Sequence, residues 1–302
     1  MTLLRMHEIT KVFPGVRAND RVSFDLQDGE VHALVGENGA GKTTLMKILY
    51  GLQRPDSGTI FLRGEAAAIR GPRDAIARGI GMVHQHFMLV PPFSVLDNIV
   101  LGEEDHRFGV LNMERPARRI EEIMRRNGLP VDLTMRVEDL PVGLQQRVEI
   151  LKILFRGAEI LVFDEPTAVL TPREVEELFK TFRAMTAQGK GIIFISHKLD
   201  EVLEIADRIT VIRRGQVIRT LARGEATKPL IAELMVGKPV FLKVDKRSSA
   251  AGREILEVRE LRRCSDRGHI VLDGASRAAH AGEISGIAGV EGNGQSELVQ
   301  AI

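Results

Sequence analysis

Apolar and polar positions in residues 1–215 alternate between short strand-like runs and helical stripes. The run Val31–Val35 is typical of a buried strand. Behind it comes an apolar stripe with helical spacing, made by Leu45, Ile48, Leu49 and Leu52. We expect Gly51 to help end this helix. Strands that alternate with helices along a chain indicate α/β layering around a largely parallel sheet.

A second strand, at residues 160–163, precedes a helix with a well-marked start. Thr171 is placed to cap it, Pro172 occupies the first helical position, and Glu174 would close a capping box. The buried stripe of this helix is predicted to contain Val175, Leu178, Phe179 and Phe182. The pattern therefore predicts a second strand and helix unit.

Further along the chain, residues 192–195 predict a third core strand. The apolar stretches 209–212 and 217–218 flank Arg214 and Gly215, which is typical of a hairpin. Part of the sheet should therefore be antiparallel.

Strand signals disappear between residue 91 and about residue 157, where two helical stripes replace them. One stripe contains Ile120, Ile123 and Met124, and the other contains Val148, Leu151 and Phe155. We expect a helical insertion over this range.

The composition fits a folded chain and limits its partners. Of 302 residues, 44% are hydrophobic and 27% are charged, which is enough for one large core or two ordinary ones. The 42 Lys and Arg nearly cancel the 41 Asp and Glu, so we expect no nucleic acid partner and only local binding of anions. The single cysteine, Cys264, and strand-sized apolar runs favour a cytosolic chain without membrane spans.

A polar segment at residues 243–252 predicts a linker between a first domain, 1–242, and a second region, 253–302. Sliding residues 20–49 forward by 253 positions aligns one serine, one acidic residue, one leucine and several glycines with identical residues. The second region therefore begins a copy of the first. Because the chain ends at the position that matches Leu49, we expect a truncated second domain without a complete core.

Residues 36–43, GENGAGKT, have the phosphate-binding loop pattern and lie between a predicted strand and a predicted helix. Glycines let successive backbone N–H groups converge on phosphates, and the helix start adds positive potential. Lys42 should reach the β- and γ-phosphates, and Thr43 should ligate Mg²⁺. The predicted nucleotide contacts in this segment are Gly36, Glu37, Asn38, Gly39, Ala40, Gly41, Lys42, Thr43 and Thr44.

Two adjacent carboxylates, Asp164 and Glu165, end the strand predicted at 160–163. Neighbouring side chains on a strand point to opposite faces, so the two residues should have different roles. Asp164 suits the Mg²⁺ shell, and Glu165 suits polarisation of the water that attacks the γ-phosphorus.

In this order the features resemble the nucleotide-binding subunits of ATP-binding-cassette (ABC) transporters over residues 3–240. The resemblance implies an α/β P-loop NTPase cassette with a mixed core sheet, an antiparallel β subdomain and a helical insertion, which uses ATP and Mg²⁺. It implies that Phe13 stacks on adenine and that Gln85 contacts Mg²⁺ and the attacking water. It also implies that His197 contacts the γ-phosphate.

The segment 140–147 stands where these cassettes carry their signature, which one domain places over the nucleotide of another. The residues concerned are Leu140, Pro141, Val142, Gly143, Leu144 and Gln145. Pro141 replaces a serine and offers neither a hydroxyl nor an N–H group. We therefore expect an intact fold with a weaker γ-phosphate clamp.

The second copy also departs from the pattern, because Gln295 stands where Lys42 stood. A neutral amide cannot supply the charge of the lysine. Since the resemblance implies sites shared between two cassettes, both substitutions would fall in one composite site. We expect one competent and one degenerate site in a complete protein, with neither assembled normally in this chain and ATPase activity impaired.

Two cassettes in tandem, together with residues 83–93 and 164–171, resemble bacterial importers of simple sugars and nucleosides. This branch implies membrane-spanning permease subunits, a second cassette and, indirectly, a solute-binding protein as partners. It also implies a peripheral location on the cytoplasmic face of the cell membrane.

Two other functions fit the features of this chain less well. A soluble tandem cassette acting on ribosomes or DNA would need a basic interdomain arm, for which residues 243–252 are too short and too mixed in charge. A small-molecule kinase of the phosphate-loop class would have no use for the segment 140–147 or for the repeat.

Overall fold

The structure is a computed structural model, and it describes residues 1–85, 87–104, 106–107, 110–111, 113–238, 252–264, 269–289 and 293–302. The chain divides into two units, Met1–Phe241 and Leu242–Ile302. Residues 243–251 of the predicted linker lie outside the described residues.

The first unit alternates strands and helices, as the sequence pattern predicts. Its strands are β1 Thr2–Phe13, β2 Val16–Gln27, β3 Val31–Val35, β4 Ser57–Leu62, β5 Glu65–Ala66, β6 Ile80–Val83, β7 His106–Arg107, β8 Val110–Leu111, β9 Ile160–Asp164, β10 Gly191–Ile195, β11 Arg208–Arg213 and β12 Gln216–Ala222. Its helices are α1 Lys42–Leu49, α2 Pro72–Ala77, α3 Val95–Val100, α4 Glu114–Asn127, α5 Val142–Phe155, α6 Pro172–Thr186, α7 Leu199–Ile205 and α8 Lys228–Val236.

A central sheet has the strand order β12-β11-β3-β10-β9-β6 in the described part of the chain. All neighbouring pairs from β11 to β6 are parallel, and β12 is added antiparallel at one edge. A second, antiparallel sheet has the order β2-β1-β4-β5. The predicted α/β cassette with a mixed core sheet is therefore confirmed. Its parallel strands bring their carboxyl ends to one edge, where ligands bind in such sheets.

Each face of the central sheet carries its own core, because successive side chains on a strand alternate. On one face Phe163 and Phe194 pack against Phe182 of α6, with ring centroids 4.5 and 5.9 Å apart. On the other face Val162 and Ile193 pack with residues of α1 and of the antiparallel sheet. The phosphate-loop helix and the helical insertion thus lie on opposite faces of the sheet.

Local signals at helix starts and turns are confirmed. Thr171 caps α6, and Glu174 closes the capping box from both sides. The β11–β12 hairpin turns at Arg214 and Gly215, whose φ angles of 51° and 77° are left-handed.

One sequence expectation is wrong. Leu52 does not extend the stripe of α1, because the helix stops at Leu49 with Tyr50 as its cap; Leu52 is 48% exposed. Besides its helices, the insertion contains a short hairpin in which β7 pairs with β8. Two-residue strands are too short to produce a period in the sequence.

The second unit contains β13 Glu254–Cys264, β14 Ile270–His280 and α9 Gln295–Ala301, and its two strands pair antiparallel. It repeats details of the first hairpin. Glu8 and Glu260 have left-handed φ angles of 50° and 47°, and their N–H groups donate to the hydroxyls of Ser23 and Ser276 at 3.1 and 2.9 Å. The Gln27 N–H donates to Glu30 Oε2, and the His280 N–H donates to Glu283 Oε2 in the same way. The helices α1 and α9 both begin after a left-handed N-cap glycine, Gly41 and Gly294.

Candidate nucleotide-binding site

The predicted phosphate loop connects β3 to α1, and Lys42 is the first residue of that helix. Its side chain is buried, with Lys42 5% exposed. The ammonium donates to the carbonyl oxygens of Gly36 at 2.7 Å and Glu37 at 3.0 Å. The loop therefore wraps around the lysine and holds its charge at the helix start.

Glycine is required at two loop positions for backbone reasons. Gly41 has a φ of 104°, and a Cβ there would lie 2.2 Å from the carbonyl oxygen of Ala18 on β2. Gly39 has a φ of 79°. Side chains rarely adopt these angles. The Asn19 amide also donates to the Gly41 carbonyl at 3.2 Å, so β2 fixes the loop from outside.

Two of the three predicted metal ligands, Thr43 and Asp164, lie close together. Thr43 is on the first turn of α1, and Asp164 is the last residue of β9. Burial raises the pKa of Asp164, and the nearby Thr43 side chain acts in the opposite direction. Burial lowers the pKa of Lys42, while the charges of Glu165 and Asp164 act in the opposite direction. The site thus places one cation and two carboxyl groups within electrostatic reach of each other.

Glu165 and His197 are in contact, with Glu165 Oε1 3.2 Å from His197 Nδ1. The Glu165 side chain is 18% exposed and the histidine 53%. Glu165 lies beyond the end of β9 and has a left-handed φ of 51°, so strand alternation is not what separates it from Asp164. Its N–H donates to the carbonyl of Ile195 at 3.0 Å, which aims the turn toward the end of β10.

Gln85 follows β6 at the same edge of the sheet. Val83, the last residue of β6, is paired in parallel register with Phe163 of β9, so both chains leave the sheet at the same edge. The Gln85 side chain is exposed. The structure therefore puts Gln85 at the edge of the sheet that carries the two carboxylates, and its contacts with Mg²⁺ and water stay a prediction.

Phe13 is the half-buried last residue of β1, with the Lys11 ammonium 5.6 Å from its ring centroid. The partner strand β2 is the one that touches Gly41. The hairpin that carries Phe13 therefore lies against the phosphate loop, and stacking on adenine stays a prediction.

The signature segment begins α5. Pro141 is the N-cap, one residue before the helix, and its carbonyl accepts hydrogen bonds from the N–H groups of Leu144 and Gln145 at 2.9 and 3.1 Å. The Gln145 amide donates to the Leu140 carbonyl at 2.9 Å, and Val142 is 43% exposed. The proline is thus tolerated at the helix start, as expected. Its described contacts are with its own segment and not with Lys42 or Thr43.

Sequence reasoning missed the residues that hold the turn after Glu165. Gln146, only 2% exposed, donates its amide to the carbonyl of Pro166 at 3.0 Å. The Thr167 hydroxyl donates to Glu201 at 2.5 Å, and the Lys198 ammonium donates to the Thr167 carbonyl at 2.8 Å. In the sequence, only one feature pointed to these residues: they are polar and adjoin the predicted motifs.

The residues present fit a magnesium nucleotide. A hydroxyl and a carboxyl group, from Thr43 and Asp164, are oxygen donors of the kind that Mg²⁺ takes in nucleotide sites. The Lys42 ammonium and the first turn of α1 supply positive charge for phosphates.

Known proteins are similar to this chain in sequence and in fold. A family model described as ABC transporter matches residues 19–168. The nucleoside import ATP-binding protein NupA of Lactococcus lactis subsp. cremoris is 48% identical over 301 residues, covering 100% of this chain and 60% of NupA. The guanosine import ATP-binding protein NupO of Bacillus subtilis is 48% identical over 300 residues, covering 99% of this chain and 59% of NupO.

The fold is also similar to that of a crystal structure of an ABC transporter ATP-binding cassette in its ADP conformation. The TM-score is 0.70 at 26% identity, covering 79% of this chain and 100% of that one. The chain spans about 60% of the length of the curated relatives that it matches.

Proposed function

Because this chain carries an ATP-binding cassette of the ABC transporter family, we propose that it is the ATP-hydrolysing subunit of a bacterial importer of nucleosides or simple sugars. The observation that carries the proposal is the set of contacts at one sheet edge, where Lys42, Thr43 and Asp164 lie beside Glu165 and His197. The names of the relatives support the nucleoside class of solute.

The first part of the mechanism concerns phosphate binding. The Lys42 ammonium is held by two carbonyl oxygens of its own loop, so it is positioned before a ligand arrives. Thr43 and Asp164 would hold Mg²⁺, which when bound neutralises charge on phosphate oxygens. The backbone N–H groups of the loop would complete the grip.

The second part concerns water. Glu165 would accept a proton from the attacking water, and its position near Lys42 at the rim of the sheet supports this role. His197 contacts the same carboxylate and would orient it or meet the γ-phosphate. Gln85, which follows β6 at the same edge of the sheet, would help to position the water.

The signature residues 140–145 would act on the nucleotide of a second cassette. The repeated hairpin contacts support a tandem copy that begins near residue 253. In that copy Gln295 stands in place of Lys42, and residues 290–292 of its loop lie outside the described residues. The substituted loop and Pro141 would form one degenerate composite site, and Lys42 would serve the competent one.

The partners in this proposal are membrane-spanning permease subunits and, indirectly, a solute-binding protein. The chain would sit on the cytoplasmic face of the membrane, bound through the permease. In the part of the chain that the structure describes, no helix has both the length and the apolar character needed to cross a bilayer. The alternative of a ribosome or nucleic acid partner is less well supported, because the relatives are named for import.

A binding experiment tests the proposal. Titration of the chain with a fluorescent ATP analogue and Mg²⁺ should show saturable binding that Lys42→Ala abolishes. Lys180→Ala, which changes an exposed lysine on α6, is the matched control and should bind like the parent chain. Equal affinity in the parent and Lys42→Ala chains, or no binding by the parent, would contradict the proposal.

A further inference from the structure

The backbone of Met88, three residues after Gln85, is bound by two side chains of α5. The Met88 N–H donates to Glu149 Oε1 at 2.5 Å, and the Met88 carbonyl accepts from the Lys152 ammonium at 3.1 Å. Glu149 and Lys152 are three residues apart on α5 and therefore share a face of that helix. We call this pair of contacts the Met88 clasp.

The Met88 clasp is made by a buried carboxyl group and a partly buried ammonium group. Glu149 is 4% exposed, and burial raises the pKa of its carboxyl group. Burial likewise lowers the pKa of Lys152, and each of the two charges favours the charged form of the other. A buried carboxylate is costly unless it is paired and hydrogen-bonded. An apolar residue at position 149 would suit the packing of α5, so the carboxylate points to a role beyond the helix itself.

Other anchors hold the same segment on either side of the clasp. Before it, the ring of His84 packs edge-on against Tyr50, the cap of α1, with centroids 5.8 Å apart. After it, the buried Asn98 of α3 accepts from the Val90 N–H at 2.7 Å and donates to the Val90 carbonyl at 3.0 Å. Gln85 thus lies on a short span between the phosphate-loop helix and α5.

We propose that Glu149 and Lys152 are positioning residues, which bind the N–H and carbonyl groups of Met88 and so tie the location of Gln85 to the signature helix. This inference rests on the proposed function. The signature segment begins α5, and the clasp lies two to three turns further along the same helix. A shift of α5 therefore pulls on the Gln85 span directly, without passing through the core of the sheet.

The clasp predicts a specific loss. When it is open, Lys42 and the phosphate loop remain intact, so nucleotide binding without Mg²⁺ is unchanged. Gln85 is no longer held beside the metal ligands, so turnover requires more Mg²⁺. A residue that only stabilised α5 would not change the Mg²⁺ requirement selectively.

The test compares Glu149→Leu and Lys152→Met with Glu149→Gln, whose amide oxygen can still accept from the Met88 N–H. We expect the first two variants to raise the Mg²⁺ concentration for half-maximal ATPase activity about fivefold and to lower kcat, with KM for ATP changed less. Glu149→Gln should recover most of the loss. Combining Glu149→Leu with Gln85→Ala should add little to either single change, because both act through Gln85.

Hydrogen exchange gives a second readout that does not depend on turnover. Amide exchange of the peptide that contains Met88 should accelerate in Glu149→Leu and Lys152→Met but not in Glu149→Gln. Unchanged exchange in the first two variants, or an unchanged Mg²⁺ requirement in a folded Glu149→Leu chain, would overturn the inference. Absence of nucleotide binding by the parent chain would instead count against the proposed function, and the exchange data would still decide on the clasp.

Discussion

A methyl group on Gly143 would lie 2.2 Å from Oε1 of Glu174, the residue that closes the capping box of α6. The other carboxylate oxygen of Glu174 accepts from both the N–H and the hydroxyl of Thr171 at 2.8 Å. The packing within this cassette therefore favours glycine at position 143. The absence of a side chain there leaves room for Glu174 in the first turn of α6.

This contact predicts coupling between the two positions. Gly143→Ala should displace Glu174 and weaken the cap, which offsets the gain of up to about 1 kcal/mol that alanine brings to a helix. In a Glu174→Ala background the same change should keep that gain. Urea unfolding of the four chains measures the difference, which we expect to be about 1 kcal/mol. Additive effects would show that the residues do not interact.

Glu165→Gln should separate binding from turnover. The amide keeps the shape of the side chain but accepts no proton, so we expect ATPase activity to fall about 100-fold or more while nucleotide affinity changes little. Glu176→Gln, at an exposed position on α6, is the matched control. Turnover by Glu165→Gln equal to that of the parent chain would remove this residue as the base.

Pro141→Ser should strengthen ATP-driven association of cassettes. The φ of −55° and ψ of 152° at this N-cap suit serine, whose hydroxyl can cap α5 and meet a γ-phosphate across the proposed dimer. The cap adds about 1 kcal/mol, and loss of the ring costs a similar amount, so stability should change little. Sedimentation with and without Mg-ATP, in a Glu165→Gln background, measures the association. An unchanged dimer fraction would argue against the trans role of this segment.

His32 should make stability depend on pH. Its ring is buried between the Asp25 carbonyl and the Thr210 hydroxyl, both at 2.7 Å, and burial lowers its pKa from 6.5 to about 4. Between about pH 6.5 and 4, His32 therefore binds a proton in the unfolded chain but stays neutral in the folded chain. Stability should fall as the pH drops from 6.5 toward 4, by about 2 kcal/mol at about pH 5.

Urea unfolding near pH 7 and about pH 5 measures this loss for three chains. His32→Gln should lack the His32 contribution, and His7→Gln, at an exposed position on β1, should retain it. Equal pH dependence in the His32→Gln and parent chains would contradict the assignment.

Much of the site follows from the sequence because its parts are local motifs in a fixed order. The phosphate loop between Val35 and Lys42, and the carboxylates after residue 163, each depend on a few adjacent residues. The capping box at Thr171 is encoded in the same way. The order of these motifs was sufficient to predict the α/β cassette.

Contacts between distant segments could not be predicted in this way. The Gln146 bond to Pro166 and the Met88 clasp join residues 20 and 61 or more positions apart. Glu165 was expected to follow strand alternation, but the left-handed turn that carries it depends on a bond to Ile195. Such features depend on the packing of the sheet, which no short pattern records.

The left-handed residue shared by the β1–β2 and β13–β14 hairpins has a consequence for how this chain acquires its structure. Glu8 lies beside a third strand, β4, whereas among the described residues of the second unit Glu260 lies in a sheet of two strands. The same left-handed residue and the same serine hydroxyl recur in both settings. The residues of each hairpin are therefore sufficient to form this bend. During synthesis it can form before a neighbouring strand is present.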